Sequence, residues 1–161
     1  MPGTGAPAAT TASVRLWRRL AAIAYDAILL IGVLLLASAV VTLPIGLALG
    51  PEAADGIFRS SAFRWPFFLY CVVVLASFHL FFWTHGGQTL GMKTWRIRVV
   101  RADGTPLGLR DAIRRYVTAI LSVLPLGLGF WWAAVDPAGL AWHDRWSRTR
   151  LVRVDTPRAA G

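Results

Sequence analysis

The sequence predicts an all-α membrane protein: two full transmembrane helices, a third hydrophobic segment, and a small cytoplasmic β-structure. Three observations carry this. Of 161 residues, 56% are hydrophobic, more than a soluble domain of this size needs with so much of its surface facing water. The apolar residues come in long blocks. The basic residues, which set a net charge of +9, flank those blocks, a pattern that speaks for topology control and anionic lipid over nucleic acid. Several of the eight tryptophans also stand at block ends, where amphipathic rings favour the membrane interface.

Residues 1–13 are small, polar and rich in Pro and Gly, and read as a disordered tail; residues 14–154 read as one transmembrane domain and 155–161 as a C-terminal tail. Arg15, Arg18 and Arg19 precede an apolar run from Leu20 to Leu43 whose only charge is Asp26. The run exceeds the roughly 20 residues that cross a bilayer and is far longer than a signal-peptide core of about 7–15 residues, so a retained span is expected. The segment 44–63 contains Pro and Gly together with Glu52, Asp55 and Arg59. A second span runs from Trp65 to Trp83. Beyond it, Thr94 to Val100 alternates apolar and basic residues before Asp103-Gly104, which predicts a short β-hairpin. A helix is expected to begin near Leu109 and enter the third block, Tyr116 to Val135. The middle of that block, Leu124-Pro125-Leu126-Gly127-Leu128-Gly129, is poor helix and good turn. A helical hairpin returning to the cytoplasmic side is favoured, with a single broken span as the alternative. Thr149 to Val154 reads as another strand, which would complete a three-stranded cytoplasmic sheet with the hairpin.

The positive-inside rule places the N-terminal flank and the basic 85–115 loop in the cytoplasm and the 44–63 loop outside. The hairpin reading keeps the arginine-bearing C-terminal region inside as well.

Asp26 leads the candidate residues, because a carboxylate within a transmembrane helix is costly and usually faces a protein interior or a polar pathway. Arg19 lies two turns away on nearly the same face, about 10 Å of rise, too far for an easy intrahelical pair. A partner from another element is therefore expected, with Arg114 or Arg115 the natural choice. One reading is a protonatable or cation-binding site. The other is a buried ion pair that fixes helix register. His143-Asp144 lacks the further ligands that a metal centre requires, and Asp144 is expected to pair with an arginine such as Arg19. Gly86 to Thr94 nearly spells a phosphate-binding loop, but Met92 separates the last glycine from Lys93 and no strand precedes it. A tight exit from the second span is the better reading. Cys71 stands alone in an apolar run, which excludes an internal disulfide. No catalytic constellation, cofactor motif or nucleic-acid-reading fold is evident, so neither an enzyme nor a nucleic-acid partner is expected.

Arg18-Arg19 with Ala22 and Asp26, then Gly87-Gln88-Thr89-Leu90-Gly91, then Arg96 to Val100 with Asp103-Gly104, and finally Arg115, His143-Asp144, Thr149 and Val152 together resemble the RDD family of bacterial membrane proteins. The resemblance runs in order from about Arg15 to Val154. The arginine and two aspartates that name the family match Arg19, Asp26 and Asp144, with Arg115 a further basic match. Met92-Lys93 departs from the pattern, since many members place Lys directly after the glycine. The resemblance implies a protein of the bacterial cytoplasmic (inner) membrane, to which the hydropathy and charge pattern adds several spans (multi-pass) and an N-terminus in the cytoplasm. The resemblance adds that transport, including sodium/proton antiport, has been proposed for some members. Two functions follow as expectations. In the first, the chain transports a small ion or solute through Asp26, with Arg19 and Arg115 tuning its charge; two or three helices enclose no pathway, so a homo-oligomer or partner membrane protein would be needed. In the second, it is a non-transporting scaffold whose arginine-rich strands bind anionic lipid or a partner. Arg19, Asp26, Arg115, His143 and Asp144 form the expected polar cluster.

Overall fold

The computed structural model describes residues 9–10 and 14–154; the remainder of the two expected tails lies outside the described residues. Helix α1 (Leu16–Leu49) is the first long element. At 1.5 Å per residue it is about 51 Å long, and α3 (Ser61–Thr84) about 36 Å, against roughly 30 Å of bilayer hydrocarbon. Both are long and apolar enough to cross a membrane. Their apolar side chains are laid bare around the helix: Ile28, Leu35, Leu36, Val40 and Leu47 on α1 and Trp65, Phe68, Leu69 and Val73 on α3 are all more than half exposed. In water these would form patches far larger than soluble monomers carry.

Helix α1 continues past Pro44, although the sequence placed a Pro/Gly-containing connection from there. Proline removes one helical N–H, but the residues that follow, Ile45, Leu47 and Leu49, keep the segment apolar. Gly50, at φ 79°, ends the helix. Helix α2 (Pro51–Arg59) follows, with Pro at its start, Glu52 in its first turn and Arg59 in its last, the charge order that complements a helix dipole.

The chain forms two compact units, one of residues 27–78 and one of residues up to 26 and from 79 onward. In the first, the Tyr70 hydroxyl donates to the Ala37 carbonyl at 3.2 Å, and a run of aromatic contacts links Phe58, Phe63, Phe67 and Tyr70. The second unit, here termed the lobe, contains α4 (Leu90–Thr94), α5 (Leu109–Val123), α6 (Leu128–Val135) and α7 (Trp142–Trp146) with the strands Ile97–Arg101 and Thr149–Val154. Its core gathers Val14, Ala22, Trp83, Ile97, Val99, Leu107, Ala112 and Leu151.

The sheet departs from the expected hairpin. The 97–101 strand pairs antiparallel with 149–154, Val99 opposite Leu151, but the residues after Asp103-Gly104 form no strand, so the predicted three-stranded sheet is a two-stranded ladder. Ala9–Thr10 adds only a two-residue pairing on the other edge of 149–154. The reason is local. Pro106 has no N–H to give a ladder, Leu107 is buried in the core, and Gly108 already caps α5. Asp111 joins the two ends of this connection, accepting from the Gly108 N–H at 3.1 Å and from Arg101 Nε at 2.7 Å.

The third hydrophobic block is two helices, α5 and α6, bent by 95° at Leu124–Gly127, where the sequence reads as turn. Gly129 lies so close to Ser122 that an added Cβ would stand 2.6 Å from Ser122 Cβ. The strands flanking this block pair with each other, so the chain leaves the sheet, passes through α5 and α6, and returns to it.

Candidate functional site

Two polar centres are built on the first eleven residues of α1. The first is organised by Asp144, 1% exposed, at the third position of α7. Its side chain turns back to accept the Ala141 N–H at 3.0 Å, which closes the start of that short helix. The same carboxylate receives Arg19 Nη1 on one oxygen and Arg115 Nη1 on the other, both at 2.7 Å. Arg19 and Arg115 are 6% and 3% exposed. Arg19 also donates to the Gly139 carbonyl at 2.6 Å, and Arg115 to the Thr149 hydroxyl at 2.5 Å. Arg115 further stacks over Trp83, 5.3 Å from the ring centre, a favourable cation–π contact.

This clamp ties the start of α1 and the middle of α5 to α7 and to the 149–154 strand. Removing one member of such a buried, hydrogen-bonded ion group leaves a desolvated charge behind, at a cost of about 3–5 kcal/mol. Burial opposes ionisation of Asp144, but the guanidiniums of Arg115 and Arg19 outweigh it and hold the carboxyl well below the usual carboxylate range. His143, with its ring 4.5 Å from Phe130 and Nε2 3.5 Å from Asp144 Oδ1, is also shifted down, which for a base removes the charge. Burial and the Arg115 charge outweigh the attraction of Asp144 and bring its pKa down to about 3, so the imidazole is neutral at physiological pH.

The second centre is Asp26, 7% exposed. The Thr89 hydroxyl donates to Oδ2 at 2.5 Å and the Gly91 N–H to Oδ1 at 2.8 Å. No ion pair to Asp26 occurs among the described residues. The expected partnership with Arg114 or Arg115 is thus replaced by two neutral donors at the start of α4. The contact depends on glycine: a Cβ on residue 91 would stand 2.4 Å from the Ala22 carbonyl oxygen and 2.9 Å from Asp26 Cγ. Thr89 is the N-cap of α4, and its hydroxyl also accepts the Met92 N–H at 3.2 Å.

Of the five residues grouped from the sequence, Arg19, Arg115, His143 and Asp144 meet in one centre, and Asp26 belongs to the other. Thr89, Gly91 and Thr149 stood in the motifs that carry the family resemblance but were given no place in the cluster, and Gly139 was missed. A threonine two residues before a glycine, ahead of a short helix, was the available signal for the first two. Nothing local marks Thr149 or Gly139, because their roles arise from strand register and chain return.

Two helices fit to cross a bilayer, and a buried arginine–aspartate–arginine clamp that holds the start of one of them, fit the class of integral membrane proteins. The RDD family's sequence model matches residues 13–148; the chain belongs to the RDD family. No curated protein matches it, and no solved structure does.

Proposed function

We propose that the chain is a two-span protein of the bacterial cytoplasmic membrane with its lobe in the cytoplasm, acting as a non-transporting, non-enzymatic anchor that presents a basic surface to an anionic partner. The N-terminal end of α1 and the C-terminal end of α3 both belong to the lobe, which fits two crossings. Arginines concentrated in the lobe fit the cytoplasmic side. The observation that carries the reading is the use made of the charged residues. Both Asp26 oxygens are engaged by Thr89 and Gly91, and both arginines expected to tune Asp26 are held by Asp144. These groups serve to hold residues 16–26 of α1 within the lobe.

One observation favours transport as a second reading: Asp26 has only neutral donors among the described residues, as a proton- or sodium-binding carboxyl in an apolar helix would. Two variants separate the readings. Asp26→Leu strands the Thr89 and Gly91 donors and should lose about 1–3 kcal/mol of stability, read by thermal unfolding in detergent. Wild-type proteoliposomes under sodium and proton gradients should show no ion flux. Flux that disappears in a stable Asp26→Asn protein would establish transport and end the anchor reading.

A further inference from the structure

The lobe contains the same backbone motif twice, at a constant offset of 52 residues. Each copy follows the end of an apolar helix and opens with a glycine in the left-handed region, Gly87 at φ 71° and Gly139 at φ 65°. An extended N-cap follows, Thr89 or Ala141, and then a five-residue helix, α4 or α7. The helices are built alike: the Lys93 N–H bonds the Thr89 carbonyl and the Arg145 N–H the Ala141 carbonyl, while Trp95 bonds Gly91 and Ser147 bonds His143. Two residues beyond each helix stands an arginine with left-handed backbone, Arg96 at φ 53° and Arg148 at φ 54°. A strand then begins at Ile97 or at Thr149. Only the capping chemistry is exchanged. Thr89 caps Met92 from in front, whereas Asp144, the counterpart of Met92, caps Ala141 from behind.

The strand register respects this equivalence. Val99 and Leu151 are counterparts and face each other, so a pseudo-two-fold axis passes between them. On the core side lie Ile97, Val99 and Leu151. The opposite face carries Arg98 and Val100 against Val152 and Arg150, in that register. Arg98 and Arg150 are therefore two-fold counterparts on a cross-strand diagonal, where such neighbours lie roughly 7–8 Å apart, within reach of long side chains. Val100 and Val152 between them are buried, as expected where arginine stems lie along apolar neighbours. Each arginine also adjoins a glycine turn, Arg98 Cγ at Gly87 and Arg150 Nη2 at Gly104.

Neither guanidinium has a hydrogen bond or ion pair among the described residues, and the Nε of each is buried and without a partner. The lobe's described aspartates are all committed elsewhere: Asp26 to Thr89 and Gly91, Asp103 to Thr105, Asp111 to Arg101, Asp136 to Arg145, and Asp144 to Arg19 and Arg115. Two half-buried like charges thus share one sheet face without a counter-ion among the described residues. Guanidinium forks match phosphate oxygens bidentately, and a multiply charged anion between two of them offsets their repulsion. We propose that this face binds a phosphate-bearing ligand between Arg98 and Arg150. The proposal rests on the reading of the lobe as a platform for an anionic partner and names the chemistry of that partner.

The test uses the full chain in mild detergent, with inorganic pyrophosphate as the soluble probe and short-chain phosphatidylglycerol, against phosphatidylcholine, as the lipid probe. Binding is read as a dose-dependent rise in the unfolding midpoint. A response to pyrophosphate alone assigns the site to a soluble phosphate ligand; a response to phosphatidylglycerol but not phosphatidylcholine assigns it to a lipid headgroup. Arg98→Gln and Arg150→Gln should each weaken the response about tenfold and by similar factors, since the two positions are equivalent. Arg110→Gln, an exposed arginine outside the sheet, should leave it unchanged. Arg98→Lys and Arg150→Lys, which keep charge and lose the fork, serve if the glutamine variants do not accumulate, and should also bind more weakly than wild type. No response to either probe, a full response in Arg98→Gln or Arg150→Gln, or an equal loss in Arg110→Gln overturns the proposal. Ion-flux measurements do not enter this readout, so failure of the site is distinguishable from failure of the anchor reading.

Discussion

Asp144 and His143 are neighbours in sequence with opposite electrostatic fates. The carboxylate has guanidiniums on both oxygens and remains charged although it is buried. The imidazole lies between Phe130 and those same guanidiniums and stays neutral. The consequence is a stability that depends on pH. His143 titrates at about 3 in the fold and near 6.5 when unfolded, so between these values the unfolded chain binds the extra proton. Stability therefore rises with pH across that window and is lost as pH falls from 6.5 toward 3, with a limiting slope of about 1.4 kcal/mol per pH unit. Asp144 begins to weaken the fold as pH falls through the ordinary carboxylate range, about 4, where the unfolded chain takes up its proton, so the upper part of the window belongs to the histidine. Denaturant midpoints measured at pH 4.5 and pH 7 should differ for the wild type and converge in His143→Leu; an unchanged difference in that variant would remove His143 from the account. From the sequence, the Arg19–Asp144 pair was legible because two opposite charges beside apolar segments need each other. The donors to Asp26 were not, since a hydroxyl and a backbone N–H leave no charge signature.

Among the elements, α4 shows how five residues can be held in place by a single close approach. Its Gly91 lies against the backbone of α1 at Ala22, which brings its N–H to Asp26. Gly91→Ala would push a methyl group into a carbonyl oxygen that cannot move without moving the helix, and a loss of about 1–3 kcal/mol is expected. Gly32, elsewhere on α1, has nothing within 4 Å of an added Cβ, and Gly32→Ala should gain about 0.5–1 kcal/mol from helix propensity. Thermal unfolding of the pair gives the comparison; equal effects would show that the α4–α1 contact is not what makes residue 91 glycine. The start of α5 at Leu109 and the break near Pro125 follow from patterns carried within a few residues. The missing arm of the hairpin does not. Alternation before Asp103-Gly104 is a genuine strand signal, but the strand finds its partner at 149–154, because Pro106 and the burial of Leu107 draw the chain toward α5. The repeated motif was also present in the sequence, as Arg96-Ile97-Arg98-Val99-Val100-Arg101 and Arg148-Thr149-Arg150-Leu151-Val152-Arg153. Its helices share too little side-chain chemistry to be matched by eye.

For the whole molecule, strand pairing and the position of the helix ends constrain how the chain is threaded. The strands on either side of the α5–α6 block lie side by side, so in the two-span reading that block enters and leaves on one side. A reporter fused after Gly161 should then read cytoplasmic, and one inserted within Pro51–Arg59 should read external. Matching locations for the two would contradict the two-span topology. The sequence by itself determined the apolar lengths, the basic flanks, the isolated carboxyl of Asp26 and the family, because hydropathy, charge and motif order are properties of the chain read in one dimension. The tertiary structure alone decided that Asp26 and Asp144 occupy separate centres, that the expected hairpin lacks its second arm, and that Arg98 and Arg150 share a face without a counter-ion among the described residues. Those outcomes depend on register and on close backbone approach between residues far apart in sequence, distances that no local pattern encodes.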